Sequence, residues 1–195
     1  MSKVAVVFHS GYGHTAEQAK AVAEGAARVP GTEVDLIRIE NAAQDFAPVL
    51  ERLESADAII FGAPTYMGSV SGPFKSFMDS TSKVWGKWND KLAAGFTNSA
   101  SQSGDKLNSL IQLSVFAAQH GMIWTSLGLM PGNNSTKGSI EDMNRLGSFL
   151  GAMAQSPADA GPDVGPTGAD KKTAQHLGQR VAEAARRWKA LPLAA

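Results

Sequence analysis

Residues 10–15, Ser-Gly-Tyr-Gly-His-Thr, combine the aliphatic hydroxyls of Ser10 and Thr15 with two glycines in one short stretch. They follow directly on the apolar run at 4–8 and lead without a break into a helical pattern of alanines. The first amides of a helix have no partner in the chain and lie at its positive end, so this order of strand, turn and helix makes an anion site. Ser10 and Thr15 add hydroxyl donors. Because the stretch contains no Lys or Arg, the sequence predicts a phosphorylated cofactor held by dipoles and hydrogen bonds.

Other interpretations of this first turn fit less well. The pattern G-x-G-x-x-A at 11–16, with Asp35 downstream, also matches the dinucleotide fingerprint. A hydroxyl at each end of the loop instead suits a terminal phosphate, which has more oxygens to satisfy than a pyrophosphate. No Gly-Lys-Ser/Thr occurs, which argues against ATP-type phosphoryl transfer. His9 and His14 lack the spacing of metal ligands, and we predict no metal site.

Two further loops carry polar side chains after apolar runs. The loop at 62–68 offers a stiff proline, a hydroxyl, flat or polarisable surface for a ring, and a glycine for close backbone approach: Pro64, Thr65, Tyr66, Met67 and Gly68. The loop at 97–104 offers donors for the polar edge of a heterocycle: Thr97, Asn98, Ser99, Ala100, Ser101, Gln102 and Ser103. Ordinary packing of Tyr66 and Met67, and an ordinary surface loop at 97–104, stay open as alternatives.

Alternating strands and helices would position these loops. The runs that predict strands lie at 4–8, 34–39, 58–61, 92–96 and 122–126. Helical patterns lie at about 14–29, 45–55, 71–83, 104–119 and 169–189, the last beginning with capping-box spacing between Thr167 and Asp170. This order predicts an α/β fold with a parallel sheet wrapped on both faces, where ligands bind outside the C-terminal strand ends. The three loops are therefore expected to converge on one pocket, and 128–145 and 156–168 to be surface excursions.

Composition narrows the classes of function. The chain has 195 residues, which predicts a single domain over 1–190, with a flexible C-terminal tail at 191–195. Basic and acidic residues are equal at 18 each, which argues against nucleic acid or an acidic membrane surface as a partner. No apolar run approaches the ~18 residues that a membrane span needs. The absence of cysteine excludes disulfides and thiolate chemistry and favours a cytoplasmic location.

The chain resembles the flavodoxin-like NAD(P)H:quinone oxidoreductases of the WrbA type over nearly its whole length. The resemblance is strongest at 3–31, KVAVVFHSGYGHTAEQAKAVAEGA…VPG, and at 57–79, DAIIFGAPTYMGSVSGPFKSFMD. Tyr-Gly-His in the first loop together with Pro-Thr-x-x-Gly in the second is specific. The resemblance implies a flavodoxin-like α/β/α sandwich of three layers. Its five-stranded parallel sheet would have the order 2-1-3-4-5, with FMN across the strand ends.

The resemblance also implies roles for individual residues. It places the FMN phosphate among Ser10, Gly11, Tyr12, Gly13, His14 and Thr15. It places one side of the isoalloxazine against Pro64, Thr65, Tyr66, Met67 and Gly68, and the other side and pyrimidine edge against the loop that begins at Thr97 and Asn98. Tyr12 matches a position on the nicotinamide approach, and Trp85 matches an aromatic at the substrate mouth. A structural role, in which Trp85 and Trp88 anchor a loop to the body of the protein, stays open as the alternative. Gln119, followed by His120, holds the place of a family histidine that donates to the flavin; an amide can donate but carries no titrating charge.

The implied function is an FMN-dependent NAD(P)H:quinone oxidoreductase. NADPH or NADH would deliver a hydride to flavin N5, and two electrons would pass to a quinone. Two alternatives stay open, a flavodoxin-type one-electron carrier and an NADPH-dependent reductase that releases FMN. Carriers usually have a strongly acidic face, of which the net charge of zero gives no sign. A homodimer or homotetramer is expected.

Overall fold

The computed structural model describes residues 1–190, so the predicted tail at 191–195 lies outside the described residues. Five α-helices, α1 to α5, span His14–Ala27, Ala47–Glu54, Gly72–Ser80, Lys106–Gln119 and Gly168–Ala190. Seven strands, β1 to β7, span Ser2–His9, Thr32–Ile39, Ala58–Tyr66, Ser69–Val70, Leu92–Ser99, Ile123–Trp124 and Ala152–Gln155. A short 3-10 turn, Thr81–Val84, follows α3. Each predicted helix is present with shifts of a few residues at its ends.

The central sheet is parallel and has the order β2-β1-β3-β5-β6. β5 and β6 correspond to the fourth and fifth strands expected from the sequence. The observed order is therefore the predicted order 2-1-3-4-5. β4 lies off this path and forms a short antiparallel hairpin with β3. The flavodoxin-like α/β fold is thus confirmed, with one correction at the outer edge.

That edge is made by two segments instead of one predicted strand. β6 pairs with Leu92 and Ala93 at the start of β5, and β7 pairs in parallel with residues 96–99 at its end. The strand predicted at 122–126 therefore shrinks to two residues, and the chain leaves the sheet before returning as β7. The stretch at 152–155 gave no strand signal because Ala, Met and Gln have little intrinsic preference for strands.

Helices cover both faces of the sheet, and successive side chains of β1 pack alternately against the two helical layers. Val4, Val6 and Phe8 pack toward α1 and α5, whereas Ala5 and Val7 pack toward α2, α3 and α4. A strand buried on both faces reads as a continuous apolar run, as this one does. None of the helices in residues 1–190 is long and apolar enough to cross a membrane.

α1 and α5 pack almost backbone to backbone through two glycines. A Cβ added at Gly25 would overlap the carbonyl oxygen of Gln175, and one at Gly178 would overlap that of Val22. We expect Gly178→Ala to lower the free energy of unfolding by about 1–3 kcal/mol, because overpacking outweighs the gain of roughly 1 kcal/mol in helix propensity. Urea unfolding followed by circular dichroism measures this change.

Gly168 is the matched control for that substitution. It lies at the start of the same helix, and an added Cβ would have no neighbour within 4 Å. Gly168→Ala is expected to leave stability unchanged or slightly higher. Equal effects of the two substitutions would contradict the close approach of α1 and α5.

Candidate functional site

A cavity of about 520 Å³ opens at the C-terminal ends of β1, β3 and β5. This is the edge of the sheet at which the topology predicts a ligand. Its volume lies in the usual range for cofactor sites, roughly 300–1,000 Å³. The lining comes from the three loops that the sequence singled out and from a fourth segment after β7: Ser10, Tyr12, His14, Thr15, Pro64, Thr65, Tyr66, Asn98, Ser99, Ala100, Ser156, Ala158 and Ala160.

The first loop is built as an anion site. Gly13 takes φ +91°, a left-handed conformation that suits glycine, and α1 begins at the next residue. The Ser10 hydroxyl accepts the N–H of Ala16 at 3.1 Å, which leaves its own hydrogen available to a ligand. Thr15 is only 2% exposed and lines the cavity, and among residues 1–190 its hydroxyl has no protein partner. The oxygen itself opens to the cavity, so this hydroxyl can donate to a ligand there.

A cation reaches the first loop from β2. The guanidinium of Arg38 donates to the Ser10 carbonyl at 3.4 Å and also pairs with Glu40 at 3.1 Å. The sequence showed no charge within the loop itself, and only the pairing of β1 with β2 brings Arg38 to it. Nearby, burial, and then the charge of Arg38, lower the pKa of His9, whose Nδ1 contacts the Ser71 hydroxyl at 2.8 Å.

The segment after β7 closes one side of the cavity, and the sequence did not predict this. His14 Nε2 donates to the carbonyl of Ala160 at 2.9 Å, and Pro162 lies against Gly13. Asn98 Nδ2 donates to the Ser156 hydroxyl at 2.9 Å. The Pro/Gly-rich composition at 156–168 predicted a surface excursion. Because residues 152–155 carry no strand signal, nothing in the sequence marked the following segment as a site loop.

A buried cluster of hydroxyls supports the second loop. Thr65 lines the cavity, and its hydroxyl lies 2.8 Å from that of Thr97 and 2.8 Å from that of Ser109. Thr97 is thus behind the wall of the cavity. Burial also raises the pKa of the Tyr66 phenol, which therefore stays protonated at neutral pH.

Several residues predicted for the site lie beside the cavity. Gly11 faces the Tyr66 ring closely. Met67 and Gly68, at φ 47° and 76°, form the two-residue turn between β3 and β4, where positive φ at both positions is required. The Met67 side chain is fully exposed at this tip. Ser101, Gln102 and Ser103 are exposed, beyond the part of the third loop that lines the cavity.

Trp85, Gln119 and His120 line a different cavity, of about 480 Å³, between α3 and α4. His120 packs against Trp88 with ring centroids 4.6 Å apart, and burial lowers its pKa. Its Nε2 donates to the Thr81 hydroxyl at 2.8 Å, since that hydroxyl gives its own hydrogen to Met78. Trp85 is 68% exposed, and its Nε1 donates to the Gln119 carbonyl at 2.6 Å.

The described part of the chain contains no cluster of three or more His, Asp or Glu side chains that could hold a metal ion. The cavity offers hydroxyls, backbone amides and flat side chains instead. This donor set suits a phosphorylated ring compound.

Comparison with known proteins agrees with this chemistry. Residues 5–130 match the family model described as NADPH-dependent FMN reductase. Flavodoxin FldP of Pseudomonas aeruginosa is 47% identical, covering 93% of this chain and 96% of the relative. An NAD(P)H dehydrogenase (quinone) of Syntrophobacter fumaroxidans is 31% identical, with coverage of 95% and 98%. The crystal structure of a flavodoxin, WrbA-like protein from Agrobacterium tumefaciens is 42% identical, with a TM-score of 0.76 and coverage of 96% and 99%.

Proposed function

The chain belongs to the NADPH-dependent FMN reductase family and is of the WrbA-type, flavodoxin-like kind, and on this basis we propose that it is a cytoplasmic, FMN-dependent NAD(P)H:quinone oxidoreductase. We assign the activity to a single domain over residues 1–190. The observation that carries the proposal is the anion site of the first loop, where the Thr15 hydroxyl and the start of α1 meet a cavity of cofactor size. Relatives named NAD(P)H dehydrogenase (quinone) support the same activity.

FMN fits the residues that line the cavity. The phosphate would be held by Ser10, Thr15 and the free amides at the start of α1, without a cation in the loop. Pro64, Thr65 and Tyr66 would lie along one side of the ring, and Asn98, Ser99 and Ala100 along its other side and pyrimidine edge. When bound, FMN supplies the redox chemistry, accepting a hydride from NAD(P)H at N5 and passing two electrons to a quinone.

The protein's part in this reaction is binding, orientation and electrostatics. No side chain has to act as acid or base in the hydride step. Backbone amides of the third loop would face the position where negative charge develops on reduction, and such preorganised donors stabilise that charge. Tyr12, 77% exposed at the mouth of the cavity, would contact the nicotinamide as it approaches.

We also propose that the protein is a homodimer or homotetramer. Trp85, Ile111 and Val115 line the second cavity and are all more than two-fifths exposed. An apolar surface of this kind suits a second copy of the chain, and a neighbouring copy would bring Trp85 to a substrate mouth that its own chain leaves open.

A one-electron carrier is the second candidate, because a relative of 47% identity is named a flavodoxin. Carriers steer partners with a strongly acidic face, and this chain has 18 basic and 18 acidic residues. The third candidate, a reductase that releases reduced FMN, takes support from the family model.

Anaerobic spectroscopy separates these candidates. The protein is loaded with FMN, NADPH is added, and the visible absorption of the flavin is followed before and after addition of benzoquinone. We expect complete bleaching without a one-electron-reduced form, then recovery on addition of the quinone. Flavin that stays oxidised with NADPH, yet gives a stable one-electron-reduced form with dithionite, would identify a carrier. Reduced FMN that passes a filtration membrane would identify the releasing reductase.

A further inference from the structure

Lys106, the first residue of α4, is a completely buried lysine directly behind the third loop. Its ammonium donates to the Ser99 hydroxyl at 2.8 Å and to the Ser101 carbonyl at 2.6 Å. Both partners belong to the third loop, Ser99 as the last residue of β5 and Ser101 just after it. Lysines are almost never fully buried unless they are paired, so this placement calls for a reason.

A second side chain also holds this loop. Gln155, at the end of β7, donates from Nε2 to the Ala100 carbonyl at 3.1 Å. In a trans peptide the C=O and the N–H of the next residue point in opposite directions. Because the Ala100 carbonyl turns toward Gln155 and the Ser101 carbonyl toward Lys106, the amide of Ser101 points away from Gln155 and that of Gln102 away from Lys106.

The charge of Lys106 is not cancelled by its neighbours. Asp170 on α5 attracts it, but this carboxylate is paired with Arg145, whose Nε and Nη2 both lie 2.8 Å from its oxygens. Three buried charges thus leave a net charge of one positive unit. Burial lowers the pKa of Lys106 to about 8, so the ammonium is charged at neutral pH.

We propose that Lys106 is a positioning residue whose fixed positive charge orients the amides of the third loop and favours the binding of reduced, negatively charged FMN over oxidised FMN. The proposal rests on the proposed function, because it takes the third loop as a wall of the flavin site. A buried charge is screened much less than a surface charge, so it acts across the loop. Asn98, Ser99 and Ala100 are the residues of this loop that line the cavity in front of it.

The test compares wild type with K106M, K106R and K172M in their FMN-loaded forms. The dissociation constant of oxidised FMN is measured by fluorescence quenching, and the two-electron midpoint potential by spectroelectrochemical titration at pH 7. Together they give the affinity for reduced FMN. We expect K106M to lose about tenfold or more of the preference for reduced FMN, which is about 30 mV or more for a two-electron couple.

The other two variants separate charge from packing. K106R keeps the charge and is expected to retain most of the preference. K172M removes an exposed lysine from α5 and is expected to match wild type. K106M could instead weaken the binding of oxidised and reduced FMN by the same factor and leave the midpoint potential unchanged. In that case Lys106 only holds the loop in place, and the proposal is wrong. A wild type that fails to bind FMN would instead overturn the proposed function, and this inference with it.

The pH dependence of wild type gives a test that needs no variant, in case K106M does not fold. Reduction places negative charge near Lys106 and therefore raises its affinity for a proton. As the pH rises above about 8, where Lys106 loses its proton in the oxidised protein, reduction should draw a proton back onto it. The midpoint potential is then expected to fall more steeply with pH than below that value. A slope that does not change there would overturn the proposal.

Discussion

Replacing Asp170 with asparagine is expected to lower the free energy of unfolding by about 3–5 kcal/mol, the usual cost of leaving one member of a buried ion pair without its partner. The side chains of Asp170 and Arg145 are 2% and 9% exposed, respectively. The carboxylate also accepts the Gln155 N–H at 2.9 Å. An amide in its place would leave the guanidinium buried without a counter-charge. Urea unfolding measures the loss, and thermal unfolding is expected to show a fall in Tm of about 10 °C.

Asp79→Asn is the matched control. Asp79 pairs with Lys75 one turn away on α3, but both side chains are more than half exposed. Exposed pairs of this kind contribute about 0.3–0.5 kcal/mol. A further variant, Arg145→Met with Asp170→Leu, removes both charges and is expected to recover much of the lost stability. A cost below about 1 kcal/mol for Asp170→Asn would show that water reaches this pair.

The effect of Asp170 extends to the candidate site because of where the pair lies. Arg145 belongs to the stretch at 125–151 that interrupts the outer strand, and Asp170 to the first turn of α5. Through Gln155 the pair is linked to the Ala100 carbonyl of the third loop. The capping spacing of Thr167 and Asp170 was visible in the sequence, and the Asp170 N–H does reach the Thr167 hydroxyl, at 3.4 Å. The larger role of Asp170, as the partner of a buried arginine, depends on a contact across 25 residues.

What the sequence predicts well is local. The first loop is contiguous, so its hydroxyls, its glycine at positive φ and the start of α1 could all be placed from neighbouring residues. The parallel sheet followed from the alternation of strands and helices, and the order of its strands from the family resemblance. Of the residues predicted from the second loop, Pro64, Thr65 and Tyr66 line the cavity.

What the sequence misses depends on tertiary contacts. Met67 is an unusual residue for a two-residue hairpin turn, which favours Asn or Asp before Gly, so nothing indicated that it would point into solvent. No motif in the sequence singles out Lys106. Its burial, and its proximity to Asp170 and Arg145, depend on tertiary structure. The lining at Ser156, Ala158 and Ala160 depends on β7, whose residues carry no strand preference of their own.

Replacing Thr15 with valine is expected to weaken FMN binding by about 10- to 100-fold, which corresponds to roughly 1.5–3 kcal/mol for a hydrogen bond to a charged group. The substitution keeps the shape of a side chain that is 2% exposed and removes only its hydroxyl. Because this hydroxyl has no protein partner among residues 1–190, the stability of the FMN-free protein is expected to change little. Fluorescence quenching of FMN, with unfolding measured in parallel, gives both quantities.

Riboflavin, which lacks the phosphate, makes this prediction specific. If Thr15 donates to the phosphate, Thr15→Val weakens FMN binding and leaves riboflavin binding unchanged. The variant therefore prefers FMN over riboflavin by a smaller factor than wild type does. Thr32→Val makes the same chemical change at the start of β2, at the opposite edge of the sheet from the cavity, and is expected to affect neither ligand. An equal loss of affinity for FMN and riboflavin would show that Thr15 maintains the shape of the loop and does not bind the phosphate. An unchanged affinity for FMN would remove Thr15 from the site, and with it the observation on which the proposed cofactor depends.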